Sequence, residues 1–210
     1  MSDDGSATLE LRGVGKTYGR KIVLADVSHT FRLGLTLLTG PSGAGKSTLL
    51  RLIATSESPN RGAVLWNGAN LPGARGKLRQ TLGYAPQAVD LPEDLTAREF
   101  AMHIASLKGL ALAAADKQFG AITDAIGLHA DINNRIASFS GGMRRRLIFA
   151  QAMLGEPLLL ALDEPTAELD LETARKLGAL ILKRARTAAV VMTTHLADEL
   201  APSALKVLRV

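Results

Sequence analysis

Gly40-Pro41-Ser42-Gly43-Ala44-Gly45-Lys46-Ser47-Thr48 is the stretch whose reading decides the fold. Its spacing, G-x-x-x-x-G-K-[ST], is that of a loop built to hold polyphosphate. Gly40, Gly43 and Gly45 let the backbone approach an anion with no Cβ in the way. Successive N–H groups can then point inward, at the positive end of the helix that follows. Lys46 adds a full charge for the terminal phosphates, and the Ser47 hydroxyl is placed to ligate Mg²⁺. The flanks agree. Leu35–Thr39 is a short apolar, β-prone run, and Leu49–Ala54 continues as a helix with an apolar face. A chance match in a chain with 20 glycines in 210 residues has odds on the order of one per cent.

Outward from the loop, residues 7–14 alternate apolar and polar as a half-exposed strand does, residues 16–20 read as a turn, and 22–33 return as an antiparallel strand. On the other side, 63–68 read as a strand ending in a tight Asn-Gly turn. Residues 69–80 read as a polar, basic loop, followed by a short strand over 81–84 that Ala85-Pro86-Gln87 breaks. From about 93 to 139 the chain turns alanine- and leucine-rich, with helices expected over 96–108, 111–126 and 131–137 and no strand signal. The expectation is one domain: an α/β nucleotide-binding core of residues 1–92 and 140–210, with a helical subdomain, 93–139, inserted. Ser140 is suited to cap a helix running from Met143 to Leu154. Then come a strand over 158–163, a helix over 171–185, a buried strand over 188–194, a short helix and a last strand over 205–210. Alternating strands and helices imply a mostly parallel sheet covered on both faces, with ligand at the strands' carboxyl ends.

Composition narrows the classes. With 47% hydrophobic and 21% charged residues, a sizeable core forms and global disorder is excluded. No apolar run nears the roughly 18 residues needed to span a bilayer, and the acidic start, Met1-Ser2-Asp3-Asp4, has no signal-peptide pattern. The chain is expected in the cytosol or against a membrane through a partner. The absence of cysteine excludes disulfides, thiolate chemistry and cysteine zinc sites. A net charge of +5 suits an anionic ligand. The basic residues are scattered apart from Arg144-Arg145-Arg146, and only 4% of residues are aromatic, so no nucleic-acid partner is expected.

The apolar run ending in Asp163-Glu164 places two acids beside the phosphate loop if both strands share one sheet. Asp163 can hold Mg²⁺ and Glu164 can accept a proton from the water that attacks the γ-phosphate. A surface strand cap would use the same residues, but after this loop catalysis is favoured. Spacing leaves Gln87 open between a contact with Mg²⁺ and the attacking water and an exposed turn glutamine. It leaves His195 open between a γ-phosphate hydrogen bond and an ordinary loop residue.

Taken together, the chain resembles the nucleotide-binding subunits of ATP-binding cassette (ABC) transporters over nearly all of its length. Phe139-Ser140-Gly141-Gly142-Met143 is similar to the family signature, usually Leu-Ser-Gly-Gly-Gln. Gln87 matches the Q-loop, Ala167-Glu168-Leu169-Asp170 the D-loop, His195 the switch histidine, and Tyr18 the aromatic that stacks on adenine. The resemblance implies a P-loop NTPase (RecA-like) core with an N-terminal antiparallel β subdomain and an inserted helical subdomain. It also implies ATP hydrolysis with Mg²⁺ held by Ser47, Gln87 and Asp163, and catalysis by Glu164, His195 and Lys46. Two such subunits pair head to tail, ATP lying between the phosphate loop of one and Ser140–Met143 of the other. A separate membrane permease is then the partner, docking near residues 88–110, with the subunit peripheral on the cytoplasmic face. Met143 in place of glutamine, followed by three arginines, resembles exporter-type cassettes for drugs, antibiotics or polysaccharides, and the shortness of the chain resembles haem-exporter subunits, kept as an alternative at the level of substrate. Ala167 and Glu168 stand where Ser and Gly are usual, and Leu171 where Pro is common. Ending one strand after His195, the chain reads as a minimal motor. The alternative is a soluble ABC ATPase acting on ribosomes or DNA.

Overall fold

The structure, a computed structural model, describes residues 7–71, 73–88, 90–194 and 204–210. A five-stranded parallel sheet carries the phosphate loop. It consists of β3 (Gly34–Thr39), β6 (Leu82–Ala85), β7 (Leu159–Asp163), β8 (Ala189–Thr193) and β9 (Lys206–Arg209), in the order β6-β7-β8-β3-β9. Alternation along its strands feeds two separate cores. Leu35, Leu37, Leu160, Leu162, Val190 and Met192 point to one face, and Leu38, Leu159, Ala161, Ala189 and Val191 to the other. Such a sheet reads as continuous apolar runs because both faces are buried. Full burial of each leucine or valine contributes about 1.5–3 kcal/mol.

The first face is covered by α5 (Gly141–Ala152) and α6 (Leu171–Ala185), and α3 (Ala97–Leu107) and α4 (Leu112–Ala125) join the same core by packing on each other and on α5. The contact of α5 with β6 is close: a Cβ on Gly83 would lie 2.0 Å from the Ala152 carbonyl oxygen. The second face is covered by α1 (Lys46–Ile53), which carries Leu49, Leu50, Leu52 and Ile53, and by a second sheet. That sheet is antiparallel, in the order β2-β1-β4-β5, with β1 Leu9–Tyr18, β2 Lys21–Phe31, β4 Arg61–Trp66 and β5 Ala69–Asn70. Leu9, Phe31 and Trp66 fill the space between the two sheets.

Three expectations are corrected. The turn read over 16–20 shrinks to Gly19-Arg20, because β1 runs on to Tyr18 through register shifts that let Lys16, Thr17 and Tyr18 pair with Leu24, Ile22 and Lys21. The basic loop over 69–80 contains the short strand β5 and a helix, α2 (Arg75–Gln80). Leu78 buries its one apolar side chain and Arg79 anchors its end on the Thr55 carbonyl and hydroxyl at 3.1 and 2.9 Å. The helix expected over 131–137 is instead two 3₁₀ turns, His129–Asp131 and Ile136–Ser138. Its backbone pairs outward: the Ile132 and Asn134 carbonyls accept from Arg98 and Ala97, and the Ile136 N–H donates to Leu95. The short helix expected between β8 and β9 falls on residues outside the described ones.

Candidate functional site

The carboxyl ends of β3, β6 and β7 converge on a cavity of about 700 Å³. Its wall includes Gly40, Ser42, Gly43, Gly45, Lys46, Ser47 and Thr48 of the loop, together with Gln87, Asp163, Glu164 and Thr194. Lys21, Val23 and Arg51 border it from the antiparallel sheet and α1. Strand, loop and helix therefore follow one another as the motif requires, and two further strands bring the acids and the glutamine to the same place.

The glycines of the loop serve different needs. Gly45 is the N-cap of α1 at φ 101°, and a Cβ there would meet Leu24 Cδ2 at 2.9 Å and the Val23 carbonyl oxygen at 3.0 Å. Gly43 sits at φ 79° with nothing within 4 Å of a Cβ position, so it alone of the two faces open space. No side chain caps the start of α1 and no acid lies in its first turn, which leaves its amide donors and dipole directed at the cavity. Lys46 Nζ donates to the Gly40 and Pro41 carbonyls at 2.7 and 2.9 Å, folding the ammonium across the loop.

The two acids share one anchor that the sequence did not single out. Thr193, at the end of β8, is the register partner of Asp163 and is fully buried. Its hydroxyl donates to Asp163 Oδ1 at 2.7 Å and accepts the Glu164 N–H at 2.9 Å. Asp163 is buried and fixed; Glu164, half-buried at φ 51°, turns the chain sharply out of the strand. Ser47, Gln87 and Asp163 offer a hydroxyl, an amide and a carboxylate oxygen, the hard donor set Mg²⁺ takes. Burial, and then the Asp163 charge nearby, push the Tyr84 phenol up to about 12, so it stays a neutral group under the site.

Residues 24–167 match the protein family described as ABC transporter. The chain belongs to the ABC transporter family. It is 35% identical over 196 residues to the Nod factor export ATP-binding protein I of Rhizobium johnstonii, covering 91% of this chain and 62% of that protein. The corresponding protein of Sinorhizobium fredii is 34% identical over 197 residues, covering 91% of this chain and 56% of the relative. The chain thus spans about three fifths of the length of the curated relatives it matches. Among solved structures, it is similar to an ATP-binding subunit of an ABC transporter, with a TM-score of 0.83 at 28% identity over 96% of this chain and 87% of that one. It is also similar to a dimeric ATP-binding cassette in a post-hydrolysis state bound to ADP and Pi, with a TM-score of 0.86 at 26% identity, covering 96% and 94%. The fold class expected for a P-loop cassette is the one found.

The remaining cassette residues lie outside the cavity wall. Pro41 and Ala44 belong to the loop but are not among the residues lining the cavity. Tyr18 is exposed at the end of β1, its hydroxyl donating to Glu57 Oε2 at 2.6 Å. Burial alone would raise the Glu57 carboxyl, but hydrogen bonds from Tyr18, Lys16 and Arg51 outweigh it and hold the group below its ordinary range. Arg51 lines the cavity and reaches Glu57 at 3.0 Å, so Tyr18 is tied to the rim through one carboxylate. Ser140 caps α5, its hydroxyl accepting the Met143 N–H at 3.3 Å, with Gly141 exposed and Gly142 and Met143 half-exposed beside it. His195 lies outside the described residues. Among the described residues, no helix is long and apolar enough to cross a membrane.

Proposed function

We propose that this chain is an ATP-hydrolysing subunit that dimerises around MgATP and powers a separate membrane permease of exporter type. The observation that carries the reading is the single cavity in which the phosphate loop, Lys46, Gln87, Asp163 and Glu164 meet. The relatives named as export ATP-binding proteins support the direction of transport, and the dimeric cassette structures support pairing. In the pair, Ser140–Met143 of a second copy complete the nucleotide site from outside, which accounts for their distance from the cavity of their own chain. Tyr18 at the rim receives the base, residues 93–139 form the helical subdomain that meets the permease, and the subunit sits on the cytoplasmic face through that permease.

The triphosphate lies along the loop, taking the amides at the start of α1 and drawing Lys46 from the Gly40 and Pro41 carbonyls to its terminal phosphates. Ser47, Gln87 and Asp163 would hold Mg²⁺, which would supply positive charge to neutralise the triphosphate. Glu164 accepts the proton of the attacking water, and His195 donates a hydrogen bond to the γ-phosphate. Glu164→Gln keeps the shape of the site and removes the base. It is expected to retain ATP, lose turnover by about 10²- to 10⁴-fold and accumulate as an ATP-bound dimer in size-exclusion chromatography. Hydrolysis at the wild-type rate by that variant would remove Glu164 from the role.

A further inference from the structure

Two non-glycine residues of the turn after β7 hold left-handed backbone, Glu164 at φ 51° and Glu168 at φ 61°. Such backbone costs an L-residue free energy and persists only where the surroundings fix it. One side chain reaches both. Arg145, on α5, donates from Nη1 to the Glu164 carbonyl at 3.1 Å and pairs through Nη2 with Glu168 Oε1 at 3.5 Å. Its side chain is only 14% exposed. With the Glu164 N–H held by Thr193, the backbone is fixed on both sides of the Glu164 Cα.

The neighbouring arginines do other things. Arg144 pairs with Glu93 at 2.7 Å, and Arg146 donates to the Gly127 carbonyl at 2.7 Å. The three arginines of the run therefore engage three different parts of the molecule, as successive positions on a helix do, and Arg145 is the one whose side chain is largely buried.

We propose that Arg145 is a positioning residue for Glu164, setting the direction of its carboxylate and tying that direction to α5, the helix that Ser140 opens. A guanidinium suits this because its planar fork can serve two acceptors at once, which a single ammonium on a flexible stem does poorly. Any displacement of α5 is passed to the Glu164 carbonyl through one rigid group. The inference rests on the reading of Glu164 as the base.

The test compares steady-state ATPase activity, ATP affinity and thermal melting for Arg145→Met, Arg145→Lys, Glu168→Gly and Glu164→Gln. Arg145→Met is expected to lower kcat by about 10- to 100-fold, the scale of a misplaced catalytic group, while KM and ATP affinity change by less than about twofold. Arg145→Lys recovers part of kcat. Glu168→Gly suits left-handed backbone but releases one anchor of Arg145. It is expected to raise the melting temperature and still lower kcat by about threefold, since a half-exposed ion pair is weak. If Arg145→Met does not fold, Arg145→Lys carries the same comparison, with a smaller fall in kcat at unchanged affinity. Wild-type kcat in the folded Arg145 variants overturns the inference, and so does a fall in ATP affinity in step with kcat, the mark of a merely structural role. An inactive Glu164→Gln beside a fully active Arg145→Met overturns the inference alone; an active Glu164→Gln removes the base reading and the inference with it.

Discussion

Two helices of this molecule begin at glycine-rich turns, and they begin differently. At the start of α1, Gly45 supplies a left-handed cap, no side chain accepts from the first turn, and Lys46 lies across the loop. At the start of α5, Ser140 accepts the Met143 N–H, and the Glu168 carboxylate lies within 3.6 Å of a Cβ position on Gly141. The first helix end is built to be completed by an anion that the chain does not supply. The second already has an acceptor and an acid of its own. On the proposed function, a glycine-rich helix start is a binding site in one case within a single chain. In the other it becomes one only by exchanging an internal partner for an external one.

The largest effect expected from this contrast is at Gly45. In Gly45→Ala the new Cβ meets both Leu24 and the Val23 carbonyl, on backbone at φ 101°. The variant should lose about 1–3 kcal/mol of stability in urea unfolding and most of its ATP binding in a fluorescence titration. Ordinary stability with full binding would mean that the α1 cap is not a specialised site.

Next comes Lys108, which marks how fully α5 is satisfied by its own chain. Its ammonium donates to the Leu154 carbonyl just past the helix end at 2.9 Å, and burial lowers its pKa from 10.5 to about 8. Between those values the unfolded chain binds the proton and the folded chain releases it. Stability from this group therefore rises with pH across the window, by up to about 1.4 kcal/mol per unit, and the penalty is complete below it. Lys108→Met should flatten the wild-type rise when unfolding free energies are measured from pH 7.5 to 10. An unchanged slope would show the ammonium to be solvated.

What was legible in the sequence follows the same divide. The loop, its strand and α1 are local: spacing, apolar run and turn residues lie within twenty positions, and so do the strand ending at Asp163-Glu164 and the helix over 171–185. Thr193 and Arg145 were not legible, because each matters through neighbours about thirty and twenty residues away, and a threonine after an apolar run or one arginine among three carries no local mark. The misread segments failed for a related reason. Residues 131–137 have helical composition, yet their carbonyls are taken by the start of α3. The α2 helix has a single buried apolar residue and reads as a loop until Thr55 is placed against Arg79.

Ser140→Ala removes the internal acceptor at the start of α5. It should cost about 1 kcal/mol of stability in thermal unfolding and leave ATP binding to the single chain unchanged, since Ser140 is not part of the cavity wall. Weaker ATP binding to a monomer would place the signature turn nearer the cavity than its own chain does.

The smallest change in stability should come from Gly141→Ala, and it separates the two helix starts most sharply. The first residue of α5 has no left-handed φ, and an added Cβ makes only ordinary contact with Glu168 Oε2 at 3.6 Å. Alanine there should be neutral or stabilising by about 0.4–1 kcal/mol, through the loss of unfolded-state freedom. If the start of α5 is only a capped helix, that is the whole effect. If it receives the γ-phosphate of a facing subunit, a methyl group stands where the anion must approach the amides. In that case the ATP-dependent dimer of Glu164→Gln should fail to form once Gly141→Ala is added, although the melting temperature is no lower. A double variant that still dimerises with ATP at the same concentration would assign the second half of the nucleotide site to some other surface. The contrast between the two helix starts would then concern stability alone.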